Sequence, residues 1–130
     1  MSYGVAAALQ AAVYQRLVSA LPDLAVFDAP PEAAGSGSFV LIGPEEALDA
    51  SDKTGGGALH RVQISVISDA AGFLTAKEIA VRVSDALTDQ ALVLARGRVV
   101  LMRFVRAVAR RLGAGATRRI DLRFDVRVED

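Results

Sequence analysis

In RRIDLRFDVRVED, near the C-terminal end, apolar and charged residues alternate without interruption. Ile120, Leu122, Phe124, Val126 and Val128 occupy one parity, and Arg119, Asp121, Arg123, Asp125, Arg127 and Glu129 the other. A period of two belongs to an extended strand with one face in a core and one in water; a helix would scatter the same residues around its axis. The charged parity also alternates in sign, so neighbours on that face attract weakly instead of repelling. A chain with such a strand has to supply an apolar layer to cover one side of it.

The preceding segment, RVVLMRFVRAVARR, is apolar on both parities: Val99, Leu101 and Val105 on one, Val100, Met102 and Phe104 on the other. It predicts a strand covered on both faces, by the chain's own helices and a loop or by a neighbouring subunit. The glycine-bearing turn LGAGAT joins the two strands as a hairpin. Upstream, Val62, Ile64 and Val66 alternate with Arg61, Gln63 and Ser65, and the pattern then changes to helical spacing at Phe73, Ala76, Ala80, Val83 and Leu87. Ser68 and Asp69 offer capping oxygens near that helix start, and Lys77, Glu78, Arg82 and Asp85 occupy much of its opposite face.

At the other end of the chain, Val5, Leu9, Val13, Leu17 and Leu21 recur every fourth residue, an amphipathic helix stopped at Pro22. A short strand is expected around residues 25–27, then a Pro-Pro and Gly-Ser loop. A second strand over 39–42 is expected to stop at Gly43 and Pro44. The polar stretch ALDASDKTGGGAL reads as a long mobile loop. The order is helix, two strands, long loop, strand, helix, two strands. That order predicts an α+β fold, a mostly antiparallel sheet of about four to five strands with two helices packed on one face.

With 130 residues the chain fits one domain spanning 1–130, large enough to bury a core without crosslinks. Its 52% hydrophobic and 23% charged residues place it with folded proteins rather than disordered ones. No apolar run approaches the roughly 18 residues of a membrane span. The start, MSYGVAAALQAAVYQRL, has no basic leader and is broken by Gln10, Gln15 and Arg16, so the chain is expected in the cytosol or in something assembled there. The absence of cysteine removes disulfides and thiolate chemistry together. A net charge of zero hides an asymmetry: residues 1–90 carry five basic and eleven acidic side chains, residues 91–130 ten basic and four acidic. Such halves either decorate solvated strands or form acidic and basic faces suited to head-to-tail contact.

Catalytic chemistry is hard to find. His60 is the only histidine, expected at the surface or a strand edge, with no second histidine to complete a metal site. A set built on Ser51 or Ser65 with His60 lacks the G-x-S-x-G elbow. DKTGGG places Lys53 and Thr54 before its glycines, the reverse of a phosphate loop. Glu45, Glu46, Asp49 and Asp52 do not match the spacing of a calcium loop and read as a solvated acidic loop. No catalytic residue, cofactor or metal is assigned. What remains is an arginine-rich last third. Arg103 and Arg106 are expected on opposite strand faces, whereas Arg110, Arg111, Arg118 and Arg119 can gather around the hairpin tip to meet a partner or a passing polyanion.

LQAAVYQRL, VFDAPP and the strand running through SDAAGF into AKEIAVRVSDAL resemble, across nearly the whole chain, the small tail-completion or tail-terminator proteins of long-tailed phages and gene transfer agents. The resemblance implies a non-enzymatic structural subunit of a virion or phage-like particle, assembled in the bacterial cytoplasm. Its copies would form a ring of six that caps the tail tube and presents a surface to the head-tail connector, DNA being only cargo through the ring and no membrane being involved. Two other readings stay open: a neck protein, or a small oligomeric ligand-binding or enzyme module of similar shape. The residues expected at assembly contacts are Lys53, Gly55, Gly56 and Gly57 in the loop and Arg110, Arg111, Arg118 and Arg119 at the hairpin.

Overall fold

Seven elements follow one another: α1 (Ala6–Ala20), β1 (Ala25–Phe27), β2 (Phe39–Asp49), β3 (Gly57–Ser68), α2 (Leu74–Leu87), β4 (Arg98–Leu112) and β5 (Thr117–Glu129). They come from a computed structural model that describes residues 3–31, 37–51, 55–88, 92–113 and 117–130. The strands form one sheet in the order β1-β2-β3-β5-β4. β1 pairs with β2 in parallel and every other neighbour is antiparallel. The α+β expectation holds, with a mixed sheet because of three short parallel residues.

Alternation decides which face the helices cover. Ala58, Val62, Ile64 and Val66 of β3 and Ile120, Leu122, Phe124, Val126 and Val128 of β5 are buried in one cluster with Leu9, Val13 and Leu17 of α1 and Ala76, Ile79, Val83 and Leu87 of α2. Val5 and Leu21 close the ends of the α1 stripe, both fully buried. Each such aliphatic side chain contributes about 1.5–3 kcal/mol on leaving water. Polar ties fix the two helices to each other. Arg16 Nε donates to the Ala86 carbonyl at 2.8 Å, satisfying an acceptor in the last turn of α2, and Arg82 makes a two-pronged contact with Asp23 at 3.1 and 2.6 Å.

Several local expectations are corrected. β2 does not stop at Gly43 and Pro44: its ladder with β3 shifts register between Ile42 and Glu45 and then resumes to Asp49. Proline is tolerated there because it falls in that bulge, where the ladder to β3 is interrupted. Residues 47–49 and 57–59 of the supposed long loop are therefore strand. The Ala50 N–H donates to the Gly57 carbonyl at 2.9 Å, closing a hairpin, and the acidic residues Glu45, Glu46 and Asp49 sit on β2. Ser68 and Asp69 do not cap α2, whose first turn has no side-chain cap. Ser68 Oγ accepts from the Ala70 N–H and Asp69 Oδ2 from the Gly37 N–H, so both oxygens brace the approach to α2.

β4 departs furthest from simple alternation. Its ladder with β5 slips at 99/101 and again at 104/106. Each bulge inserts one residue and reverses the parity of all that follows. Val99, Met102, Phe104, Ala107 and Ala109 thus pair with the core-facing residues of β5, while Leu101 pairs with Arg127 on the other face. Arg103 pairs with Asp125 and Arg106 with Arg123. The two arginines share one face, contrary to the expectation from counting residues.

Candidate assembly surface

The catalytic candidates among the described residues do not come together. His60 is fully buried on the core-facing parity of β3, not at the surface as expected. Its Nδ1 lies 2.5 Å from Glu45 Oε1, and Tyr3 stacks on its ring. The signal was present in the sequence, since His60 shares parity with Val62 and Ile64. Ser65 points to the opposite face, where its hydroxyl donates to Asp121 Oδ1 at 2.7 Å, and the Ser51 hydroxyl donates to Asp49 Oδ1 at 2.6 Å. Neither serine meets the imidazole in a hydrogen bond, so no nucleophile-base pair is assembled. Among the described residues no group of three or more His, Cys, Asp or Glu side chains converges on a cation position, and no helix is long and apolar enough to cross a membrane.

The hairpin arginines divide into two pairs. Arg110 and Arg119 face away from the helices and share Asp121: Arg119 Nε donates to it at 2.7 Å and Arg110 lies 3.4 Å away. Partial burial pushes the Asp121 carboxyl up, but the hydrogen bonds from Ser65 and Arg119 and the charges of Arg119 and Arg110 outweigh it and hold the group below its usual range. Arg111 and Arg118 face the helices instead, their guanidinium carbons 6.0 and 5.6 Å from the centre of the Phe73 ring. All four stand at one end of the hairpin but form two patches, on opposite faces of the sheet.

In the glycine segment, Lys53 lies outside the described residues. Gly55 is exposed and Gly56 half-buried. Gly57 is buried at the start of β3, where a Cβ would meet the Ala50 carbonyl oxygen at 2.8 Å. That closeness gives Gly57 a backbone reason to be glycine.

β4 is the outermost strand, 15 residues long, and only Met102 along it is buried. Val100, Leu101, Phe104, Val105 and Val108 remain 36–47% exposed, on both faces. The two-sided cover expected for this strand is therefore not supplied by the described residues of the chain. Beside it, an open apolar groove of about 410 Å³ runs between α2 and the hairpin, lined by Ala80, Val81, Phe104, Ala107 and Leu122. Long exposed apolar edges are rare on isolated proteins, because they pair with whatever strand they meet.

The family model described as Tail completion protein gp17 matches residues 5–129. The chain belongs to the tail completion protein gp17 family. That family is structural and not enzymatic. The chain is also similar to a chain of a solved structure described as the virion of native gene transfer agent (GTA) particle. The two are 56% identical over 99% of this chain and 100% of that one, with a TM-score of 0.89. Comparison with curated proteins returned no match. Sequence reasoning missed the shared face of Arg103 and Arg106 and the strand position of Glu45 and Glu46, because both depend on bulges that residue counting does not see.

Proposed function

We propose that the chain is a subunit of a gene-transfer-agent-like particle that completes its tail: copies close into a ring, of six by the family resemblance, which caps the tail tube and joins it to the head connector while DNA passes through. The observation that carries this reading is the uncovered edge of β4, a 15-residue strand with apolar side chains on both faces. A heterologous contact repeated around an axis gives such an edge its cover and closes without leaving it free. The arginines at the hairpin, Arg110, Arg111, Arg118 and Arg119, and the glycines Gly55, Gly56 and Gly57 stand at two loop ends of the sheet; they and Lys53 serve as contacts to neighbouring copies, the tube or the connector. The test is electron microscopy of particles from the source strain with this gene deleted. Overlong tubes, or tails and heads left unjoined, are expected; particles of normal length and attachment would overturn the reading.

A further inference from the structure

The sheet has two open edges, and their charges are opposite. β4 carries five arginines and no acidic residue, whereas β2 carries Glu45, Glu46 and Asp49 and no basic residue. Residues 43–49 of β2 have no strand partner on the side away from β3 among the described residues, since β1 reaches only to Leu41. The two edges also run in opposite directions, because three antiparallel steps separate β2 from β4. A rotation about an axis inclined to the strands by about 45°, as in a closed barrel, therefore brings the β4 edge of one copy against the β2 edge of the next in antiparallel sense, with the helices of both copies on the same side.

Backbone parity restricts the register. The Gly57 carbonyl accepts from the Ala50 N–H on the β2 side, and the adjacent Gly56 carbonyl accepts from the Asp130 N–H on the β5 side. Residues of an antiparallel ladder direct their backbone groups to alternate sides. Glu46, Leu48 and Ala50 thus face β3, leaving Glu45, Ala47 and Asp49 directed outward. Asp130 faces β3, so Arg119 and Asp121 face β4, and their register partners Arg110 and Val108 face back to β5. Ala107, Ala109 and Arg111 are the ones directed outward. No register shift interrupts either stretch.

We propose that successive copies join edge to edge, residues 45–49 of one paired antiparallel with residues 107–111 of the next, Glu45 facing Arg111, Glu46 facing Arg110, Ala47 facing Ala109 and Leu48 facing Val108. This inference rests on the ring reading above and assigns its contact. Every outward residue of one edge then meets an outward residue of the other, giving three pairs that each exchange two backbone hydrogen bonds. Side-chain faces agree as well. Glu46 shares the face of Arg61 and Arg110 that of Arg119, away from the helices, while Glu45 and Arg111 both lie on the helix side. Two arginines oppose two glutamates, small residues oppose each other, and the exposed Leu48 and Val108 cover one another. Pairing β4 with a second β4 would set arginine against arginine instead.

The chain has no cysteine, which makes engineered disulfides a clean readout. Leu48 and Val108 would form a non-hydrogen-bonded pair, with Cα atoms about 4.5 Å apart, within disulfide reach. Under mild oxidation Leu48→Cys mixed with Val108→Cys is expected to give a covalent dimer that neither variant gives alone. The chain carrying both substitutions should give a ladder ending at the ring size, in the purified full chain and in particles. A covalent dimer from Val108→Cys alone would overturn the inference by showing β4 against β4. Rings visible by electron microscopy without the cross-link would overturn it and leave the ring reading standing. A monomer that never associates, in solution or in particles, would remove both. As a second variant pair, Glu46→Arg should lower ring yield about tenfold and Arg110→Glu in the same chain should restore it; failure of that rescue in folded protein counts against the register.

Discussion

Asp121 binds three strands through one carboxylate. It accepts from the Ser65 hydroxyl of β3 and from Arg119 of β5, each at 2.7 Å, and stands 3.4 Å from Arg110 of β4. Partial burial raises its pKa, but those hydrogen bonds and guanidinium charges lower it further, so the folded value lies below the ordinary one. A carboxyl depressed by folding adds stability that is complete above its unfolded pKa, near 3.9, and is lost as pH falls towards the folded value. Asp121→Asn should therefore cost about 1–2 kcal/mol at pH 7. The gap from the parent chain should shrink as pH is lowered from about 5 to 3 in denaturant titrations. A gap that stays constant with pH would show that Asp121 is not the titrating group. The alternation of RRIDLRFDVRVED already placed this residue on the outer face. Its partner Arg110 was legible only as one of several arginines near a turn.

Among the elements, β4 depends most on backbone geometry. Gly97, just before it, takes φ +72°, and a Cβ there would lie 2.5 Å from the Glu129 carbonyl oxygen and 2.6 Å from Val5 Cγ2. The entry to β4 is thus pressed between the end of β5 and the start of α1. Gly72 has the same φ of +72° but nothing within 4 Å of a Cβ position. Gly72→Ala should cost about 1–2 kcal/mol, the left-handed penalty alone. Gly97→Ala should cost more, because backbone rather than a flexible side chain blocks the space. Thermal unfolding of the two variants checks this ordering, and equal costs would contradict it. The same dependence explains why the two faces of β4 were misread. Its apolar residues declare a strand, but the bulges at 99/101 and 104/106 arise from how a long strand twists against its neighbour, and no residue type marks them.

On the scale of the whole molecule, the charge asymmetry along the chain becomes an asymmetry across the sheet. β4 and β5, from the basic last third, lie together at one side, and β1, β2 and β3 at the other. If copies associate through these edges, attraction between them is screened by salt, with a Debye length of about 10 Å at 0.1 M. The dissociation constant between copies, measured by sedimentation, should rise about tenfold from low to half-molar salt. An interface held by apolar burial alone would be unchanged or tighter at high salt, and that result would count against the paired charges.

Period-two and period-3.6 patterns in the sequence determined the two helices, the order of elements, the hairpin and most of the core, because burial of one face requires those spacings whatever the neighbours are. The resemblance carried by LQAAVYQRL and SDAAGF pointed to tail completion for a related reason, since it lies mostly in residues that build the helices and the strand they cover. Only the tertiary structure decided that β2 runs on through Gly43 and Pro44 and that the hairpin arginines split between faces. It also decided that β4 ends the sheet with most of its apolar side chains uncovered. Each of these depends on which strand lies beside which and in what register, and register is set by contacts between residues far apart in the chain.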